Sequence, residues 1–470
     1  MKRPPTPGAG LAPAATALLL AMAVATGCAY HPSNASLERW DPEHGYRPVL
    51  AQEERPIGDV LLLVAFSGGG TRAAALAYGV LEELRDTRVH VGGGQKRLLD
   101  EVDMISSVSG GSFTAAYYGL FGERLFADFE ERFLRKDIQD RLVAEMLRPV
   151  NWFRLLGQLD RTQLAIDVYD RDIFDRATFA DLRRAGGPFI NINATDLAVG
   201  NHFTFVQPQF DLICSDLSSF KIARAVAASS AVPVLFDGVA LENYAGTCGF
   251  EPPASLEQAL GDIRSAPRRY YDAKIAMSYL DRKNRPYIHL VDGGVSDNLG
   301  LRSPLDTIFL SGGLEKRLSA LGAETPLEIV VIVVDAEVQH DPEFNRTPSS
   351  PALAAIANAI IGVQINRYTF ETLQLTRDSM ERWQRELPPR KDGQRTRTHM
   401  VEVAFEYLAG AEDRDYFNNL PTSFKLDDEQ VDRLVAVGRQ LLRADPEYQS
   451  LLGELGATRV DAEGVDAEGR

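Results

Sequence analysis

The stretch Val60–Leu84, VLLLVAFSGGGTRAAALAYGVLEEL, constrains this chain more than any other. An apolar run breaks at Ser67-Gly68-Gly69-Gly70-Thr71-Arg72 and resumes as an alanine-rich segment. The pattern predicts a buried strand, a glycine turn and a helix. The turn leaves several backbone N–H groups uncovered at the positive end of a helix. Such a place binds an anion, either a phosphate or a charge that exists only in a transition state. A phosphate loop needs a Gly-Lys-Ser/Thr ending, and Thr71-Arg72 does not supply it.

A second strand-to-helix turn follows. Glu101–Ser107 reads as a short strand and runs into Val108-Ser109-Gly110-Gly111-Ser112, then into the apolar helix FTAAYYGLFG. A tight turn that exposes a serine hydroxyl beside a helix start has the mechanics of a nucleophile elbow. Its usual first glycine is Ser107 here, the next smallest choice at that crowded position. A nucleophilic serine needs a base, and a Ser/His/Asp arrangement predicts a downstream histidine. The seven histidines are at 31, 44, 90, 202, 289, 340 and 399, and none has a catalytic context. On the strand Tyr287–Val291, His289 faces away from Asp292 and reads as a residue satisfied within the sheet. His202 reads as structural. Asp292 differs: it ends an apolar strand and precedes Gly293-Gly294, at the strand edge where open α/β sheets place their sites. Burial raises a carboxyl pKa, and a short hydrogen bond makes such a group an adequate partner for a serine. Asp297, five residues on, reads as a carboxylate that holds the following loop.

Along the chain, strands at Pro188–Asp196, His202–Val206, Tyr287–Val291, Leu327–Asp335 and Val401–Tyr407 alternate with helical stretches. The helical stretches are Arg72–Thr87, Lys221–Ala231, Pro351–Leu387 and Asp427–Ala444. This alternation predicts an α/β domain with a mainly parallel sheet, Leu327–Asp335 being its β-branched central strand. Glu123–Gln158 reads as amphipathic helices packed outside the sheet, and Glu242–Arg285 as an insertion.

Four segments occur in order: SGGGTR, SVSGGS, ASSAVPVLF (Ala228–Phe236) and DGGVSDNLG. Together they resemble the patatin-like phospholipase family. The resemblance runs from about Gly58 to about Leu442 and includes the closing LPTSFKLDDEQVDRL. It implies a three-layer α/β/α fold with a mainly parallel central sheet. It also implies acyl-ester hydrolysis of a phospholipid or similar lipid by a Ser–Asp dyad, with no metal or other cofactor. Carried over by position, Ser109 is the nucleophile and Asp292 the base. The N–H groups of Gly69 and Gly70 form the oxyanion hole, with Gly110 a further donor, and Gly68 and Arg72 support it. Arg72 either orients the glycine loop or helps the anion site. Two other classes stay open on the same fold: a catalytically inactive binding lipoprotein and an acyltransferase. Hydrolysis and transfer differ only in the access of water to the acyl-enzyme.

The N-terminus stands apart from the domain. Lys2 and Arg3 precede the uncharged, Ala/Leu-rich run Leu11–Ala25, which is short for a membrane span and right for a secretory signal. Ala25-Thr26-Gly27-Cys28 resembles the bacterial lipoprotein cleavage box, which implies that Cys28 becomes a lipidated first residue. With Ala29 next, rather than Asp, the resemblance favours the outer membrane of a Gram-negative envelope. The expected organisation is a signal over 1–27, a tether over 28–57, a catalytic domain over 58–450 with insertions near 121–187 and 241–285, and an acidic disordered tail over 451–470. Loss of the signal takes the net charge from −16 to −18. That charge excludes nucleic acid as a partner and simple electrostatic adhesion to anionic lipid. Membrane contact is therefore expected through the anchor. Cys214 and Cys248 remain, either paired or as buried thiols.

Overall fold

In the computed structural model the apolar run becomes β1 (Val60–Phe66), the second strand of the reading β2 (Val102–Val108), and Phe189–Asp196 becomes β3. The remaining strands of this sheet are β4 (Asn201–Thr204), β5 (Val239–Glu242), β6 (Tyr287–Val291), β7 (Glu328–Asp335) and β8 (Arg397–Ala404). Their order is β8-β7-β1-β2-β3-β6-β5, with β4 also paired to β3. The five strands from β8 to β3 are parallel, and β4, β5 and β6 add antiparallel edges. The structure describes residues 34–138, 140, 141, 161–233, 236–338, 343–346, 348, 350, 351 and 353–459. The signal segment, Cys28, residues 142–160 and the tail from 460 onward lie outside them.

The helices that matter here are α1 (Pro48–Glu54), α2 (Gly70–Asp86), α3 (Gly110–Phe121), α4 (Ile222–Ser229), α5 (Arg302–Ser311), α6 (Leu314–Ala320), α7 (Leu353–Glu386) and α8 (Asp428–Ala444). Side-chain alternation along β1 divides the core. Val60, Leu62, Val64 and Phe66 face one large cluster with α2, α3 and α8. Leu61, Leu63 and Ala65 face a second cluster with α5, α6 and α7. Helices thus cover both faces, and the fold is three-layer α/β/α. Among the described residues, no helix is long and apolar enough to cross a membrane.

Three expectations about the chain's periphery need correction. From Asn34 on, the stretch read as a tether belongs to the folded body. Ala35–Ser36 pairs with Ser215–Asp216, Leu37, Tyr46 and Leu50 are buried, and Arg47 makes a buried ion pair with Asp211 at 2.7 Å. These partners are distant in sequence, so no local period announces them. At the other end, order continues past residue 450. Pro446–Glu454 is a helix that buries Tyr448, Leu451 and Leu452, and Thr458–Arg459 pairs with Thr87–Arg88. Finally, β8 ends at Ala404, and Phe405–Tyr407 is a 3₁₀ turn rather than strand. Within Glu123–Gln158 the described part packs against α3, Phe133 stacking on Phe113 at 4.3 Å between ring centres.

Candidate active site

Ser109 joins β2 to α3 with φ 49° and ψ −120°. A non-glycine residue held there stores about 1–3 kcal/mol of strain, which the surroundings must offset. Those surroundings are specific. The Ser109 N–H donates to Ser229 Oγ at 2.9 Å, and the Ser112 N–H donates to the Ser109 carbonyl at 3.0 Å. Ser107, in the crowded position before it, is fully buried and donates its hydroxyl to the Asn191 carbonyl at 3.0 Å. That bond satisfies the polar atom that glycine would have lacked.

The Ser109 hydroxyl donates to Asp292 Oδ2 at 2.9 Å. Asp292 is 8% exposed and sits just past the end of β6. Burial pushes its carboxyl up to about 6, while the Gly294 N–H on Oδ1 at 2.8 Å and the Ser109 hydroxyl pull it the other way. The Asp292 backbone is held on both sides. Its N–H donates to the Ala231 carbonyl at 2.9 Å, and its carbonyl accepts from Thr195 Oγ1 at 2.8 Å. Asp297 lies elsewhere: its Oδ2 accepts the Arg302 N–H at 2.6 Å and so ties down the loop before α5.

The glycine turn lies over the serine. A Cβ on Gly68 would stand 3.3 Å from Ser109 Cβ, and one on Gly110 would overlap the Gly70 carbonyl. The starts of α2 and α3 therefore converge on one spot, with their positive ends together. Gly70 has φ 62°, and any Cβ there would run into the Ser423 carbonyl. Ser67 and Gly68 spend their N–H groups on Val334 and Asn298 carbonyls, each at 3.0 Å, and Thr71 on Ser423 at 2.9 Å. The N–H groups of Gly69, Gly70 and Gly110 meet no acceptor among the described residues. Arg72 is 2% exposed and gives its guanidinium to the Ala336 and Leu420 carbonyls and Thr422 Oγ1, at 2.9, 2.7 and 3.1 Å. All three bonds anchor the loop, and burial lowers its pKa to about 10.

Neither of the two histidines weighed from sequence bonds to Ser109 or Asp292 among the described residues. His202 stands 3.6 Å from Asp306, and burial lowers its pKa to about 4. His289 is exposed on β6 rather than satisfied within the sheet. Among the described residues, one group has ligand atoms close enough to share a metal: Glu328, His399 and Glu454. It lies where β7, β8 and the C-terminal helix meet. Arg397 already pairs with Glu328 there, and with Glu454 at 2.6 Å.

A family model for patatin-like phospholipases matches residues 64–305, which include the glycine turn, Ser109 and Asp292. The chain belongs to the patatin-like phospholipase family. As a member it falls among lipid acyl hydrolases as a class. No curated protein matches it. Among solved structures, human GIVD cytosolic phospholipase A2 aligns at 13% identity and a TM-score of 0.45, covering 92% of this chain and 69% of that one. The same human protein in complex with methyl gamma-linolenyl fluorophosphonate and terbium chloride aligns at 13% identity and 0.43, covering 91% and 66%. In this patatin-like chain, sequence reading missed the residue that joins the two halves of the site. Ser229 accepts from Ser109, donates to the Asn193 carbonyl at 2.6 Å, and takes the Gly293 N–H on its own carbonyl at 3.0 Å. Its segment, Ala228–Phe236, carried the resemblance without a role. The signal was a serine within a run of small residues, and small residues alone read as helix packing.

Proposed function

We propose that this protein cleaves fatty-acyl esters, as a phospholipase A, lysophospholipase or related esterase, through a Ser109–Asp292 dyad. The observation that carries the reading is the 2.9 Å hydrogen bond from the Ser109 hydroxyl to the buried Asp292 carboxylate. Asp292 takes the hydroxyl proton as Ser109 Oγ bonds to the ester carbonyl carbon. The resulting oxyanion rests on the N–H groups of Gly69, Gly70 and Gly110. A donor of this kind contributes about 3 kcal/mol to the transition state. The bond to the alcohol then breaks, and the alcohol leaves with the proton. Water then bonds to the acyl carbon as Asp292 again takes a proton, the bond to Ser109 Oγ breaks, the fatty acid leaves, and the proton returns to Ser109 Oγ. Gly68 and Arg72 hold the loop that presents the donors.

Cell-envelope location is part of the same reading, with Cys28 as the lipidated residue and the outer membrane as the site. The Cys214–Cys248 disulfide supports an oxidising compartment. Fluorophosphonate labelling of the full chain tests the chemistry. Label is expected on the parent protein and absent from Ser109→Ala, and an equally labelled Ser109→Ala would overturn the assignment. Metabolic labelling with a palmitate analogue tests the anchor, since Cys28→Ser is expected to lose the label.

A further inference from the structure

A cavity of about 430 Å³ lies on the sheet face away from α2 and α3, enclosed by β1, β2, β3 and β7 and by α1, α5, α6 and α7. Its walls are aliphatic, with Leu61, Leu63, Val331, Ile308 and Leu318 among them and Trp383 beside them. None of Gly68–Gly70, Ser109 or Asp292 lines it. Its size lies within the range of small-molecule sites, and it is separate from the serine.

The charges around it are unequal. Arg47 is cancelled by Asp211, and Arg55 donates to the Asp100 carbonyl. The Arg317 guanidinium, on α6 and partly buried, makes no hydrogen bond or ion pair with any described residue. Burial alone lowers its pKa, and no anion acts against that effect. A desolvated cation without a partner is costly, and an anion relieves the cost. The lining carboxyl, Asp103, feels Arg55 and Glu101 but not Arg317. Burial pushes it up to about 7, so it opposes an anion only weakly at neutral pH.

We propose that this cavity binds a long-chain carboxylate, its chain along the β1–β7 face and its head on Arg317. Binding does not depend on the reaction at Ser109. If that reaction is as proposed, the ligand is its acyl product, and the cavity is a second, non-catalytic place for it.

The test is calorimetric titration of the full chain carrying Ser109→Ala with laurate, and separately with lauryl alcohol, below their aggregation concentrations. Laurate is expected to bind. Arg317→Gln is expected to weaken laurate by about tenfold or more, the scale of a charged hydrogen bond, and to leave the alcohol unchanged. Ile308→Trp, which fills the cavity, is expected to remove both. Absence of laurate binding would overturn the proposal. So would binding that survives Ile308→Trp in a folded protein, or an Arg317→Gln effect equal for acid and alcohol. If Ile308→Trp does not fold, Arg317→Gln, a substitution at a partly exposed position, decides alone. Because the Ser109→Ala background has no turnover, failure here leaves the hydrolase reading untouched, and failure of that reading leaves binding measurable.

Discussion

At Ser109 the backbone occupies a region that serine disfavours, and three neighbours hold it there. Ser229 is the pivotal one, because it bonds the Ser109 N–H through its hydroxyl and the Gly293 N–H through its carbonyl. Ser229→Ala is expected to lower kcat by about ten- to a hundredfold with little change in KM, the mark of lost positioning. Steady-state kinetics on a short-chain ester checks it. Asp292→Asn is expected to abolish turnover while Asp297→Asn keeps most of it, since only the first touches the serine. The reverse result would reassign the base. The base proposed here, Asp292, takes a proton only when ionised, so kcat/KM is expected to rise with pH through about 6 and then level off. The same shift has a stability cost. Its folded pKa exceeds the usual value of about 4, so the folded state binds more protons between the two values. Stability therefore falls as pH rises from about 4 to about 6. Asp292→Asn is expected to gain about 1–3 kcal/mol at pH 7.5 and almost nothing at pH 4, which thermal melts at the two pH values compare.

Among the elements, α2 carries the glycine loop, and α8 fixes α2. The two helices touch backbone to backbone. A Cβ on Gly79 would overlap the Val435 carbonyl, and one on Gly438 would stand 2.7 Å from the Leu76 carbonyl. Gly79→Ala is expected to cost about 1–3 kcal/mol through overpacking, read from the urea midpoint. Gly453→Ala is the contrast, since nothing lies within 4 Å of its added Cβ. It is expected to be neutral or stabilising by up to about 1 kcal/mol. Element types were largely readable because period is local: Tyr287–Val291 is a strand with the boundaries read from sequence. What escaped was the hairpin of Thr87–Val91 and Gly94–Arg97. Its strands are too short to establish a period, and they follow the helix without a break.

For the whole molecule, the disulfide and the N-terminal segment form one fastening. Cys214 and Cys248 are bonded, and their carbonyls accept the N–H groups of Leu37 and Trp40, both at 2.8 Å. Closing a loop with a sequence separation of 34 restricts the unfolded chain by about 4 kcal/mol. Cys214→Ser with Cys248→Ser is expected to lose stability on that scale and to expose residues 34–57 to protease. Limited proteolysis with mass mapping checks this, and unchanged cleavage would mean that the Arg47–Asp211 pair holds the segment without the disulfide.

The sequence by itself determined the strand–glycine-turn–helix unit, the second turn at Ser109, the α/β class and the carboxylate at a strand end. Each of these depends on residues close together in the chain, where periodicity and backbone freedom act directly. Only the tertiary structure decided that Ser109 meets Asp292 across 183 residues, that Ser229 joins them, and that Arg72 bonds to acceptors at Ala336, Leu420 and Thr422. It also decided that residues from Asn34 pack as part of the body and that the Arg317 guanidinium, beside an apolar cavity, has no partner among the described residues. These facts depend on which surfaces pack together, and an individual residue's identity does not encode its distant neighbour.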